Sequence, residues 1–151
     1  MTDAPGVPAR LTVVTLGARD VAALTSFYRA LGWPVVFTDG SVAFFGLRGA
    51  VLGLFGLDAL AADGHVEPGA PDRGLRCSLA VNVDERDDVD AAIEAARAAG
   101  ARITKEPVDA ELFVGRTAYF ADPEDNYWEV AWLPADSTVS VAIRRAAGLL
   151  G

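Results

Sequence analysis

Apolar and polar positions in this chain follow a strand-like and a helix-like rhythm, and the pair occurs twice. Leu11–Ala18 (LTVVTLGA) is apolar and β-branched enough for a buried strand. After Asp20 the apolar residues Val21, Leu24, Phe27, Tyr28 and Leu31 fall at the spacing of one helical face, with Asp20 as cap. Gly32 supplies a left-handed stop and Pro34 forbids resumption. Three short strands are predicted next: 35–38, then 41–47 after Asp39-Gly40, then 50–55 after Arg48-Gly49. Both dipeptides are hairpin turn signals. Leu57–Ala62 has the length of one helical turn.

The rhythm then restarts. Leu75–Val83 reads as a strand, and Asp87 or Asp88 opens a helix with Val89, Ala92, Ile93 and Ala96 on one face. Gly100 closes that helix, 68 residues after Gly32 closed the first. Strands are predicted at about 102–106, 113–120 and 127–132. The last two flank Asp122–Asn126, a turn in which Pro123 fixes φ and Asp and Asn tolerate left-handed backbone. Alternation in the final strand sends Trp128, Val130 and Trp132 to the core and Tyr127, Glu129 and Ala131 to the other face. Glu129 is the residue to explain, a carboxylate in mid-strand between aromatic and apolar neighbours.

The expected organisation is a loose arm over residues 1–9, a βαβββ module over 10–63, a linker over 64–74 rich in Gly and Pro, a second βαβββ module over 75–133, and a tail over 134–151. The tail has the pattern of a short helix, with Val139, Ala142, Ile143 and Ala146 on one face. The fold class is α+β, with helices outside and an open concave cup. One helix covers only one face of each sheet, so the uncovered face is the natural place for a ligand.

Composition narrows the classes. The chain has 151 residues, 52% of them hydrophobic, and a formal charge of −8, which argues against nucleic acid or an anionic membrane as main partner. The N-terminus lacks a basic stretch followed by an apolar run, and no apolar run approaches the roughly 20 residues of a membrane span. One cysteine, Cys77, excludes an internal disulfide and is compatible with a cytoplasmic, reducing setting; alternation makes it an inert core thiol. The Ala, Gly, Arg and Asp bias fits a bacterial source. His65, the single histidine, falls in the linker.

Two segments carry a family resemblance. Asp20–Gly32, DVAALTSFYRALG, resembles the first-module helix of the vicinal oxygen chelate superfamily, the glyoxalase, bleomycin-resistance protein and extradiol dioxygenase group. Phe120–Val130, FADPEDNYWEV, resembles its final hairpin. The resemblance implies paired βαβββ modules, as the repeat indicates independently, and a homodimer. Metal-dependent members hold a divalent cation with His, Glu and sometimes Gln from the first and last strands of each module. Glu129 matches the final-strand ligand, but the first-strand positions fall on Val13 and Ser78, and the first module's last strand offers Val51, Gly53 and Phe55. One carboxylate does not hold a catalytic cation, for which three protein ligands are the ordinary minimum. No cofactor is therefore expected.

The residues predicted to face the cup are Val13, Thr15, Val51, Gly53, Phe55, Ser78, Ala80, Asn82, Thr117, Tyr119, Tyr127 and Glu129, a stacking surface with a few orienting polar groups. The leading expectation is a metal-independent small-molecule binder of the bleomycin-resistance type, acting on an aromatic natural product or antibiotic by sequestration. The alternatives are a metal-dependent enzyme with displaced ligands and a metal-free enzyme with Glu129 as general base. An ion pair of Glu129 with Arg116 or Arg48 is the structural reading of the same carboxylate. Glu106, Asp109 and Glu111, near Pro107, read as a solvated loop. One of Phe44 and Phe45 faces the cup.

Overall fold

The computed structural model describes residue 9 and residues 11–70, 77–146 and 148. The arm, part of the linker, the start of the predicted second-module strand and the end of the tail lie outside the described residues.

The first module runs β1 (Val13–Ala18), α1 (Val21–Ala30), β2 (Val35–Thr38), β3 (Val42–Leu47) and β4 (Ala50–Gly56), and α2 (Leu57–Asp63) follows it. The second runs β5 (Ser78–Asn82), α3 (Asp88–Ala98), β6 (Arg102–Asp109), β7 (Arg116–Ala121) and β8 (Tyr127–Trp132), with α4 (Thr138–Ala146) after it. The strands form two four-stranded mixed sheets of matching order, β1-β4-β3-β2 and β5-β8-β7-β6. In each, the first strand pairs in parallel with the last and the other pairs are antiparallel.

The local signals act as their chemistry requires. The Asp20 carboxylate accepts from the Ala23 N–H at 2.8 Å, capping α1. Gly32 (φ 83°) and Gly100 (φ 100°) take the left-handed backbone that ends α1 and α3. Asp125 sits at φ 61° in the turn before β8.

Several expectations are corrected. The strand predicted at 113–120 starts only at Arg116, because Ala110 N–H bonds the Gly115 carbonyl and closes a loop over the intervening residues. A Cβ at Gly115 would lie 2.3 Å from the Trp132 carbonyl oxygen, so only glycine fits that approach. The segment around Pro107 is solvated as expected but is strand up to Asp109: Glu106 and Asp109 belong to β6, whose pairing shifts register twice, around Lys105 and before Val108, and only Glu111 lies in a loop. α2 extends to seven residues. Cys77 precedes the edge strand β5 and is exposed rather than buried in the core.

One core serves both modules. Leu24, Phe27, Tyr28, Phe45, Leu52 and Leu54 of the first cluster with Val89, Ile93, Phe120, Trp128 and Val130 of the second. Tyr28 stacks on Trp33 at 5.2 Å and meets Phe45 and Trp128 edge-on, so aromatic contact crosses the junction. Polar contact crosses it too. The Tyr28 hydroxyl donates to Asp122 at 2.6 Å and accepts from the Trp128 indole N–H at 2.9 Å. Asp122 also accepts from the Glu124 and Asn126 N–H groups and the Asn126 amide. Glu124 accepts from the Arg19 and Asp20 N–H groups just before α1. The two segments that carry the family resemblance thus meet in space and clasp the modules together. Burial, followed by the Asp122 charge, pushes the Tyr28 phenol far above its usual range.

Candidate functional site

Each sheet has a face turned from the shared core, and register places its side chains. On the first sheet, Thr15 pairs with Gly53, Gly53 with Phe44, and Phe44 with Phe37. Phe44 is therefore the member of its pair on the open face, while Phe45 is fully buried in the core. The Phe44 ring lies over Gly53, where a Cβ would come within 3.0 Å of it, and it meets Phe37 at 6.1 Å. At the far end α2 packs down, Leu57 covering Gly17. This face is apolar and partly exposed: Val13 is 41%, Val36 63% and Phe37 52% accessible.

The second sheet repeats this register with different chemistry. Ala80 pairs with Glu129, Glu129 with Tyr119, and Tyr119 with Lys105. The Thr117 hydroxyl donates to Glu129 at 2.8 Å. The Tyr119 phenol is raised above its usual range by burial first, then by the charge and hydrogen bond of Glu129, against a lowering hydrogen bond from Ser78. Thr117 is thus hydrogen-bonded to Glu129, and Tyr119 and Ser78 lie on the same sheet face as that pair. Above it is a cavity of ≈260 Å³ whose walls include Lys105, Val108, Phe113 and the loop that Gly115 closes. Lys105 holds its ammonium 5.7 Å from the Tyr119 ring centre.

The predicted site residues separate into groups. Thr117, Tyr119 and Glu129 line the cavity, with Ser78 tied to Tyr119 and Tyr127 on the same face. Asn82 lines a smaller space with Ser140, Ile143 and Arg144 of α4. Val13, Thr15, Val51, Gly53 and Phe55 belong to the other sheet, which among the described residues no strand pairing joins to the second. Glu129 does not pair with Arg116: that guanidinium makes a two-point contact with Asp90 at 2.7 and 2.8 Å. Lys105, Val108 and Phe113 were missed by sequence reasoning. For Lys105 a signal existed: it lies 68 residues after Phe37, the same interval as between the helix-ending glycines.

The donor chemistry of the site does not fit the divalent cation that the family resemblance implies for metal-dependent members. Val13 and Ser78 offer no imidazole, and among the described residues no three His, Cys, Asp or Glu side chains converge.

The family model described as Glyoxalase/Bleomycin resistance protein/Dioxygenase superfamily matches residues 10–130. The chain belongs to this superfamily. Among solved structures it is similar to a glyoxalase-related enzyme from Fulvimarina pelagi, at 29% identity and TM-score 0.77 over 85% of this chain and 91% of that one. A glyoxalase/bleomycin resistance protein/dioxygenase from Nocardioides aligns at 24% identity and TM-score 0.73, covering 87% and 88% of the two chains. Lactoylglutathione lyase from Agrobacterium tumefaciens aligns at 23% identity and TM-score 0.64, covering 83% and 95%. A comparison with curated proteins finds no match. Among the described residues no helix is long and apolar enough to cross a membrane.

Proposed function

We propose that this superfamily member is a metal-independent small-molecule binding protein of the bleomycin-resistance type, acting by sequestration, with the open face of its second module as the binding site. The observation that carries the reading is the Thr117–Glu129 hydrogen bond, with Tyr119 paired across the strands from Glu129, in the lining of the ≈260 Å³ cavity. Aromatic and apolar walls with a few oriented polar groups are the usual makeup of a small-molecule site. The volume lies just below the usual range for drug-sized ligands, so this cavity suits a compact aromatic ligand or one ring of a larger natural product. A second copy of this chain is the proposed partner, because the first module leaves Val36, Phe37 and Val13 exposed on one apolar face.

The test combines a ligand screen with divalent-metal titration of the purified protein. Expected outcomes are no stoichiometric metal, no turnover of bound ligand, and at least a tenfold loss of affinity in Glu129→Ala and Tyr119→Ala. Tight binding of one transition metal per chain, lost in Glu129→Ala, would overturn the reading in favour of a metal enzyme. Sedimentation of wild type against Phe37→Glu tests the dimer, which the added charge should dissociate.

A further inference from the structure

We propose that the second module's cup recognises a zwitterionic ligand, with Lys105 holding an anionic group, carboxylate or phosphate, and Glu129 holding a cationic or hydrogen-bond-donating group. This rests on the binding reading above and names the ligand class for the same cavity.

The backbone delivers Lys105 to the site. Ile103 pairs with Phe120 on the core side, so unbroken alternation would turn Lys105, two residues on, to the core side as well. The register shift between them pairs Lys105 with Tyr119 instead, which turns it to the open face. The first module carries the same shift between Val35 and Phe37, and there it delivers a phenyl ring to Phe44. The irregularity is common to both modules. The cation is particular to the second.

The surrounding charges leave Lys105 available. Arg97 takes Glu106 at 2.9 Å, and Arg86 and Arg116 both take Asp109, which lines the cavity. Among the described residues Lys105 has no ion-pair partner and is the one basic side chain on the cavity wall. Across Tyr119 from it, Glu129 accepts the Thr117 hydroxyl through Oε1 and retains acceptor capacity for a ligand donor. Glu111 adds negative charge to the wall, and the whole chain carries −8. A ligand that is only anionic is therefore repelled, and one that is only cationic leaves Lys105 uncompensated.

The experiment measures binding of three probes on one phenyl scaffold by ligand-observed NMR titration. L-phenylalanine carries both charges, phenethylamine only the cation and 3-phenylpropionate only the anion; phenyl phosphate in the anion's place separates phosphate from carboxylate recognition. Wild type should prefer L-phenylalanine by about tenfold over either singly charged carboxylate or amine probe. Lys105→Gln should reduce L-phenylalanine binding about tenfold and leave phenethylamine unchanged, and Glu129→Gln should weaken both amines. Equal affinities for the three probes, or no effect of Lys105→Gln, would overturn the zwitterion assignment while the cup stands as a binding site. Failure of all probes to bind would overturn the zwitterion assignment as well; the cup itself falls only if the broader screen also finds no ligand sensitive to Glu129→Ala.

Discussion

The two modules share a strand order, a helix stop and a bulge, yet their open faces have opposite chemistry. Three positions related by register show the contrast: Phe37, Phe44 and Gly53 in the first module against Lys105, Tyr119 and Glu129 in the second. In the first, the Phe44 ring fills the space over Gly53. In the second, a carboxylate takes the glycine's place, and the longer β6–β7 loop adds walls that the short turn at Asp39-Gly40 does not. Core-facing positions are constrained alike in both halves by one shared core. Open-face positions answer only to what they meet, so one module has become an apolar surface and the other a cavity of mixed polar and apolar lining.

The largest expected effect tests whether the modules are independent. Asp122→Ala removes the acceptor of the buried Tyr28 hydroxyl and of three donors in its own turn. It should cost about 3 kcal/mol, or roughly 6–12 °C in Tm by calorimetry, in a single transition. Two separated transitions would show that the modules fold as separate units and would break the idea of a common core.

A smaller effect should be confined to the second module. Gly115→Ala forces a Cβ against the Trp132 carbonyl and the Phe113 ring, and should cost about 2 kcal/mol while weakening ligand binding. Hydrogen exchange should rise in β6–β7 and stay unchanged in β2–β3. Equal loosening of both hairpins would contradict a local loop role.

The smallest effect is a slope. The Tyr28 phenol is raised in the folded state, so the folded chain keeps this proton where the unfolded chain, with an ordinary value of 10.0, releases it. Its stabilising contribution is full below that pH and declines as pH rises through the folded value. The advantage of wild type over Tyr28→Phe should therefore shrink by about 1.4 kcal/mol per pH unit above pH 10, read from denaturant titrations. A constant difference would mean that the clasp does not hold the phenol protonated.

Legibility in the sequence followed the range of the interactions. Helix faces, caps and hairpin turns depend on residues within a few positions, and Asp20, Gly32 and Gly100 act where their chemistry predicted. Glu129 stood out because strand alternation is also local. Lys105 was legible only through the 68-residue repeat, because the register shift after Ile103 inverts strand alternation until the second shift, before Val108, restores it. The partner of Glu129 stayed open between a ligand and Arg116 or Arg48 because the pairing of Arg116 with Asp90 on α3 depends on helix–sheet packing.

The sequence by itself determined the repeat, the element order and the core-facing side of the helices and of the final strand, since periodicity and turn chemistry are properties of neighbouring residues. It also marked the final turn as a special segment. Only the tertiary structure decided what that segment does: Asp122 and Glu124 are held by Tyr28 and by the start of α1, about a hundred residues earlier. It likewise decided which open face holds a cavity and which cation looks into it. Those outcomes depend on register shifts, loop closure and competition among ion pairs, and each is settled only when distant side chains meet.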